Sequence, residues 1–371
     1  MIKKQRESGI ELLKIISMIL IVFAHTAQNA YRLKLPELML AEATLSKQKF
    51  IMAWLIHFGS LGNYLFIICS AWFLIGSKKS QKQKILPLVF DSFLISVLFF
   101  AGYSIVSPGM VSQVDITKSF FPIFNENNWF VTGYILFLLI LPYLNKIVEN
   151  ISQRQLMRIS IVMILLYWIF CFAKVHYFFT RFFVFIGLFF IVAYIKKYMP
   201  DFCSSTGKNL ICLAVGVFGF ILWLGGTDIR GLNDSAYSQK LLMWWTDSNP
   251  FHLLTAIALF NLFRKFKFVN KGINLISSLT LYIYLIHENM LFRQYSAQPI
   301  WRMLIDRFSV KHVLAEEILF ATLLFTAAVL LSLLYKFTVG RFTGFISGKI
   351  YNSGKVRKAL NKFETKIINI K

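Results

Sequence analysis

Apolar residues in this chain fall into runs of about 17–23 residues that recur from one end to the other, the length needed to cross the hydrocarbon of a bilayer. Little sequence remains between the runs, so no soluble domain of useful size fits among them. The chain has 371 residues, 57% of them hydrophobic and only 15% charged, where soluble domains carry about a quarter charged residues. The spacing predicts an all-α, polytopic transmembrane helix bundle of about ten spans. They lie near 10–27, 52–75, 85–106, 129–143, 159–173, 177–194, 210–224, 251–263, 273–291 and 313–335.

The net charge of +23 would suit nucleic acid if it formed one surface, but its placement excludes that partner. Lys and Arg concentrate in alternate short loops, where positive charge sets membrane orientation. Segments 1–9, 76–84, 144–158, 195–209, 264–272 and 336–371 hold 26 of the 40 basic residues, the outer segments hold 12, and Lys14 and Arg181 lie within spans. The six are therefore predicted to be cytoplasmic, with both chain ends inside. Asp115, Glu126, Asp228, Asp234, Asp247, Asp306, Glu316 and Glu317 are expected in outer loops. Residues 1–340 read as the membrane domain and 341–371 as a basic cytoplasmic tail, amphipathic from about residue 347 and suited to an anionic leaflet.

Glu11 and Lys14 interrupt the first apolar run and no small-residue cleavage site follows it, so it reads as a retained helix and not a signal peptide. Cys69, Cys171, Cys203 and Cys212 match neither a metal pattern nor a disulfide framework, and no metal is expected. Outer segments 107–128 and 225–250 are long enough to fold over the membrane surface. The second opens with the turn-former-rich "GGTDIRGLNDSAY".

Ionisable side chains inside a bilayer are costly and mark functional positions by default. Topology sorts them into two layers. The inner layer holds Glu11, Lys14 and Asp91; Glu11 and Lys14 are three residues apart, so their side chains meet on one helix face. The plain alternative is that Lys14 snorkels to the inner interface, paired with Glu11. The outer layer holds all six histidines, His25, His57, His176, His252, His287 and His312, with Glu288, Arg181, Asn128 and Trp129. For His176 and His312 an interfacial role satisfied by water is the ordinary reading, whereas apolar helix surrounds His25 and His287. Lys14 and His25 are eleven residues apart, about 1,100° of helical turn, which leaves them roughly 20° out of register and 16 Å apart along the axis. A cation at the inner mouth and an imidazole near the outer one would line a single passage.

The segment "ESGIELLKIISMILIVFAH" resembles the first helix of the transmembrane acyltransferase 3 family. The family's signature of Arg or Lys, ten residues and then His is met by Lys14 and His25. The resemblance continues in "LGNYLFIICSAWFLIGSKKS", "NNWFVTGYILFLLILPYLNK", "SNPFHLLTAIALFNLF" and "ISSLTLYIYLIHENMLFR", in order along nearly the whole chain. It implies an enzyme of the bacterial cell membrane that moves an acyl group, usually acetyl, from cytoplasmic acyl-CoA to a hydroxyl of a cell-surface or lipid-linked glycan. Capsule, exopolysaccharide, lipopolysaccharide and peptidoglycan precursors are the acceptor classes so implied. Acetyl-CoA or another acyl-CoA would be the donor substrate, with no permanently bound cofactor. Membrane lipids and glycan-assembly proteins are the expected neighbours. Lys14 departs from the commoner Arg, lysines replace a paired-arginine motif after the second span, and a fused outer esterase-like domain is not seen.

On that resemblance Lys14, with Glu11, Asp91, Lys78, Lys79, Lys82 and Lys84, is expected to receive the phosphates of CoA. His25 is expected to be the general base, assisted by His287 and Glu288, with its carboxylate partner open between Glu288 and Glu11. His57, Asn128, Trp129 and Arg181 are expected to meet substrate, the last three as candidate donors to a tetrahedral oxyanion. A polysaccharide exporter or flippase is the competing class. Transporters of that kind carry repeated, Gly/Pro-interrupted helices, which are missing here, and they need no Lys-to-His line.

Overall fold

Unsatisfied backbone groups cost several kcal/mol each in hydrocarbon, which restricts a chain this apolar to helices or a closed barrel. The computed structural model describes residues 7–32, 47–77, 81–107, 109–124, 128–173, 177–231, 248–307, 313–354 and 358. All regular structure among these residues is helical. The helices are α1 (Ser8–Arg32), α2 (Lys47–Leu74), α3 (Ile85–Val106), α4 (Gln113–Phe120), α5 (Trp129–Asn150), α6 (Gln153–Phe172), α7 (Tyr177–Tyr198), α8 (Pro200–Ser204) and α9 (Thr206–Gly231). They continue as α10 (Pro250–Phe263), α11 (Lys271–Ser277), α12 (Thr280–His287), α13 (Gln298–Arg307), α14 (Val313–Phe337) and α15 (Val339–Asn352). Seven of them, α1, α2, α3, α5, α6, α9 and α14, are long and apolar enough to cross a membrane. The other three apolar runs correspond to α7, to the 14-residue α10 and to the pair α11–α12.

Helix α1 is the interior element. It packs against α2, α10, α11, α12, α13 and α14, and no side chain described between Ser8 and Asn29 is exposed. Two glycines let neighbouring backbone come this close. A Cβ on Gly62 of α2 would lie 2.7 Å from both the Ser17 carbonyl oxygen and Ile21 Cγ1, and Ser17 Oγ donates to the Gly62 carbonyl at 2.6 Å. A Cβ on Gly9 would lie 2.5 Å from the carbonyl oxygens of Phe263 and Phe266.

The segments rich in Lys and Arg gather at one end of the bundle, where their side chains satisfy the orphan carbonyls of helix C-termini. Lys196 Nζ donates to Trp72 O at 2.7 Å and Ile75 O at 3.1 Å, and Lys197 Nζ to Val148 O at 3.0 Å. Asn145 Nδ2 donates to Leu74 O at 3.1 Å, and Arg264 Nη2 donates to Cys203 O at 3.1 Å. Ser8 joins this end through its amide to Phe268 O at 2.8 Å and its hydroxyl to Asn274 Oδ1 at 2.9 Å. His25, late in α1, His57, early in α2, His252 and His287 therefore lie toward the opposite end.

Several local expectations change. "GGTDIRG" is helical, because α9 runs on to Gly231; Thr227 and Asp228 are buried there, where leaving a helix would strand backbone groups. Residues 232–247, including the rest of that segment, lie outside the described residues. Glu316 and Glu317 sit in the first turns of α14 and are buried, not in a loop. Asp115 lies in α4, whose capping box it forms with Ser112. The expected ninth span is broken: Ser278 Oγ turns back to Leu275 O at 2.5 Å and Thr280 Oγ1 to Ser277 O at 2.9 Å, local bonds that compete with helix continuation. The tail begins with α15, which packs on α3; residues 359–371 are outside the description.

Because Gly62 allows the α1–α2 approach, Gly62→Ala should force the two helices apart. A loss of about 1–3 kcal/mol is the usual cost of such overpacking. The thermal midpoint of the detergent-purified protein should fall, and an unchanged midpoint would show that the two backbones do not meet there.

Candidate active site

The site forms where α12 stops. Helix α12 ends at His287, and Asn289 caps the next turn, its Oδ1 accepting from the amides of Leu291 at 3.1 Å and Phe292 at 3.3 Å. The chain leaves helical geometry at Glu288 and re-enters it through Met290–Phe292 and a π-helical turn, Arg293–Ala297. Turns of that kind recur at functional positions. The break delivers His287, Glu288 and Arg293 to the face of α1 that carries His25.

Five side chains meet there. Arg293 Nη1 donates to Glu288 Oε2 at 2.9 Å, and Nη2 to Asn29 Oδ1 at 3.4 Å. His25 Nδ1 lies 3.0 Å from His287 Nε2 and 3.0 Å from Glu288 Oε1. His287 Nδ1 lies 2.7 Å from Ile283 O. A carbonyl only accepts, so His287 carries its proton on Nδ1 and its Nε2 is a bare acceptor. His25 must then donate from Nδ1. That N–H points along the line to His287 Nε2, while Glu288 Oε1 stands off the axis without an in-line donor. Both acceptors face one N–H, so His25 carries a proton on Nδ1, and in the neutral imidazole its Nε2 carries the lone pair.

Burial differs across the cluster. His287 and Glu288 are 2% and 4% exposed, whereas the His25 side chain keeps 20%. Since α1 is interior, that accessible edge opens on space between helices. The turn beyond His25 is held by Thr26, whose Oγ1 is hydrogen-bonded to Glu317 Oε1 at 2.5 Å and whose carbonyl accepts from Trp301 Nε1 at 3.1 Å.

At the basic end of α1, Lys14 Nζ donates to Glu11 Oε1 at 3.3 Å, and the Ser277 hydroxyl donates to the other carboxylate oxygen. Lys14 is partly accessible at 22%. The expected Glu11–Lys14 pair is present, on the helix face that also carries His25. Asp91 stands apart from it, buried in a hydroxyl cage: Tyr335 and Thr343 donate to Oδ1 at 2.8 Å each, and Tyr282 to Oδ2 at 3.3 Å. Lys78 and Lys79 lie outside the described residues, as does the side chain of Lys82.

The other expected positions form separate groups. His57 is fully buried against Phe220, Trp223 and His252, and His252 Nδ1 is 2.7 Å from Ser60 Oγ. Asn128 Nδ2 donates to Pro122 O at 3.1 Å, and the Arg181 guanidinium lies 4.4 Å over the Trp129 ring. Trp129 reaches His287 only through a chain of rings, Phe130 and then Tyr284, at centroid separations of 5.4, 5.7 and 5.9 Å. His176 and His312 are outside the description.

Sequence reasoning missed Arg293 and Asn29. Arg293 read as an outer-loop cation because it follows the apolar run, and its five-residue spacing from Glu288 puts the two on different faces of a continuous helix. The donor atoms of His25, His287 and Glu288 lie within 4.8 Å of one another, close enough for a metal ion. Arg293 already supplies the positive charge beside Glu288 and opposes a second cation there.

The hydrogen-bond pattern makes one spectroscopic demand. Magic-angle-spinning NMR of protein labelled with 15N-histidine should show His25 protonated at Nδ1 and bare at Nε2. A spectrum with His25 protonated at Nε2 alone would contradict the arrangement.

No curated protein and no solved structure matches the chain. The family model described as an acyltransferase domain matches residues 7–337, from the start of α1 to the end of α14, and so contains both the Lys14–Glu11 pair and the His25–His287–Glu288–Arg293 cluster. The chain is a multi-pass membrane acyltransferase of the acyltransferase 3 family.

Proposed function

We propose that the protein transfers an acetyl or related acyl group from cytoplasmic acyl-CoA to a hydroxyl of a cell-surface or lipid-linked glycan. The observation that carries this reading is the bare Nε2 of His25, the accessible edge of an imidazole whose other nitrogen is held against His287 and Glu288. In this reading the basic end faces the cytoplasm of a bacterial cell, in accord with the rule that positive loops stay inside. The donor enters beside Lys14, and its thioester reaches His25 along the shared face of α1. Lys14 acts as a point charge for the anionic donor.

Acyl transfer to an alcohol needs a base for the hydroxyl proton. His25 Nε2 takes that proton as the sugar oxygen attacks the thioester carbonyl. Collapse of the tetrahedral adduct breaks the carbon–sulfur bond, forms the ester and returns the proton from Nε2 to the thiolate of CoA. The imidazolium between those two steps is stabilised by Glu288 Oε1 beside Nδ1. Arg293 holds Glu288 in place and is a positioning residue. His287 orients the His25 ring and takes no proton in this sequence.

An exporter reading has less to support it, since a base held in one tautomer serves proton transfer and not passage. Proton NMR of surface glycan separates the two. Cells with His25→Ala should keep the polymer and lose its ester signals, with the protein still in the membrane; intact esters would remove the assignment of His25. In purified protein, His25→Ala should lower turnover by about 100- to 10,000-fold, the usual contribution of a general base.

A further inference from the structure

Arg264, Lys265 and Lys267 lie outside the cluster just described, on the hook between α10 and α11, and line a cavity of about 460 Å³ at the basic end. We propose that this cavity seats the dianionic phosphate monoester at the nucleotide end of the donor. The inference rests on the reading of the donor as acyl-CoA and adds to it a docking point that the first helix does not provide.

The charge matches. Three cations and one carboxylate, Glu7, line the cavity, leaving two positive charges for a monoester that carries about −1.5 to −2 at neutral pH. The donors also match. Arg264 gives Nη2 to Cys203 O at 3.1 Å and lies 4.5 Å over the Trp72 ring, which fixes the plane of the guanidinium. Its Nε is buried and has no hydrogen-bond partner among the described residues. A buried, unsatisfied donor is costly, and a phosphate oxygen would relieve it. Lys265 Nζ donates to Ser204 O at 2.6 Å and Thr206 Oγ1 at 2.7 Å, so one of its three N–H bonds remains. Lys267 is paired to Glu7 at 2.5 Å with both side chains about half exposed, a solvated pair that an incoming dianion can replace.

Position decides between two sources of phosphate. Ile10 of α1 also lines the cavity, and from Ile10 to His25 the helix rises about 22 Å. A molecule held here reaches His25 only if a long arm separates its phosphate from its reacting carbon, as the diphosphate and pantetheine do in acyl-CoA. A phospholipid headgroup has no such arm, and its diester carries a single negative charge.

The test uses the full chain in nanodiscs of phosphatidylcholine and calorimetric titration with CoA and with CoA lacking its 3′-phosphate. The wild-type protein should bind CoA about 10- to 100-fold more tightly than the dephosphorylated form, as expected for charge-assisted bonds. Arg264→Gln should lose most of that preference. So should the double variant Lys265→Gln, Lys267→Gln, which leaves the Arg264–Trp72 packing intact. Equal affinity for the two ligands in the wild type, or a preference that survives both variants, overturns the site while the acyl-CoA reading stands. If the wild type binds neither ligand, the donor reading falls together with the site. A second arm adds phosphatidylglycerol to the discs. Thermal stabilisation by that lipid, lost in the variants and unaccompanied by any preference between the two CoA forms, assigns the cavity to a headgroup and overturns the proposal.

Discussion

A carboxylate cannot remain alone in a medium as apolar as the interior of this bundle, and the pairing of Glu288 with Arg293 answers that constraint. The cost of removing one buried charge from water is several kcal/mol, recovered only where partner and geometry are good. Glu288 has Arg293 on one oxygen and His25 beside the other. The ion pair with Arg293 could not form if the ninth apolar run were one straight helix, because residues five apart in a helix do not share a face. The interruption after His287, the Asn289 cap and the π turn at Arg293 bring the guanidinium back onto Glu288. The helix break thus follows from the same demand that makes the cluster chemically useful.

The basic end obeys a related constraint. Helices that stop there leave carbonyl oxygens without intrahelical partners, and lysines on a neighbouring helix reach across to them. Lys196 closes the end of α2, and Lys197 the end of α5. The Lys and Arg from which an orientation is expected therefore also tie the helix ends together. Arg264 is different in kind, since only part of its donor set is spent in this way.

Architecture and the Lys14–His25 alignment were legible in the sequence because both depend on period alone. Run length predicts a membrane bundle, and eleven residues at 100° each put Lys14 and His25 on one face whatever surrounds them. The union of His25 with His287 and Glu288 was half legible: the residues stood out as ionisable groups in apolar helix, but their contact spans more than 260 residues of chain. Arg293 was hidden by a boundary, because an apolar run gives no sign that its helix breaks before the run ends. Glu316 and Glu317 were hidden by the opposite error, that of assigning acidic residues near a helix start to a loop. The burial of His57 among aromatics could not be read either, since that box is assembled from α2, α9 and α10.

The interior position of α1 bears on how its ionisable side chains stay accessible within the bundle. A helix exposed to lipid would offer its polar face to hydrocarbon, and neither Lys14 nor His25 could stay accessible there at tolerable cost. Here every described α1 side chain from Ser8 to Asn29 is buried or half-buried, and Lys14 and His25 are among the half-buried. Their residual exposure therefore faces the helices packed around α1. In the proposed reaction such a position would keep bulk water from a thioester and leave the Nε2 nitrogen of His25 for an alcohol. One helix thus carries a cation toward the basic end and an imidazole toward the other.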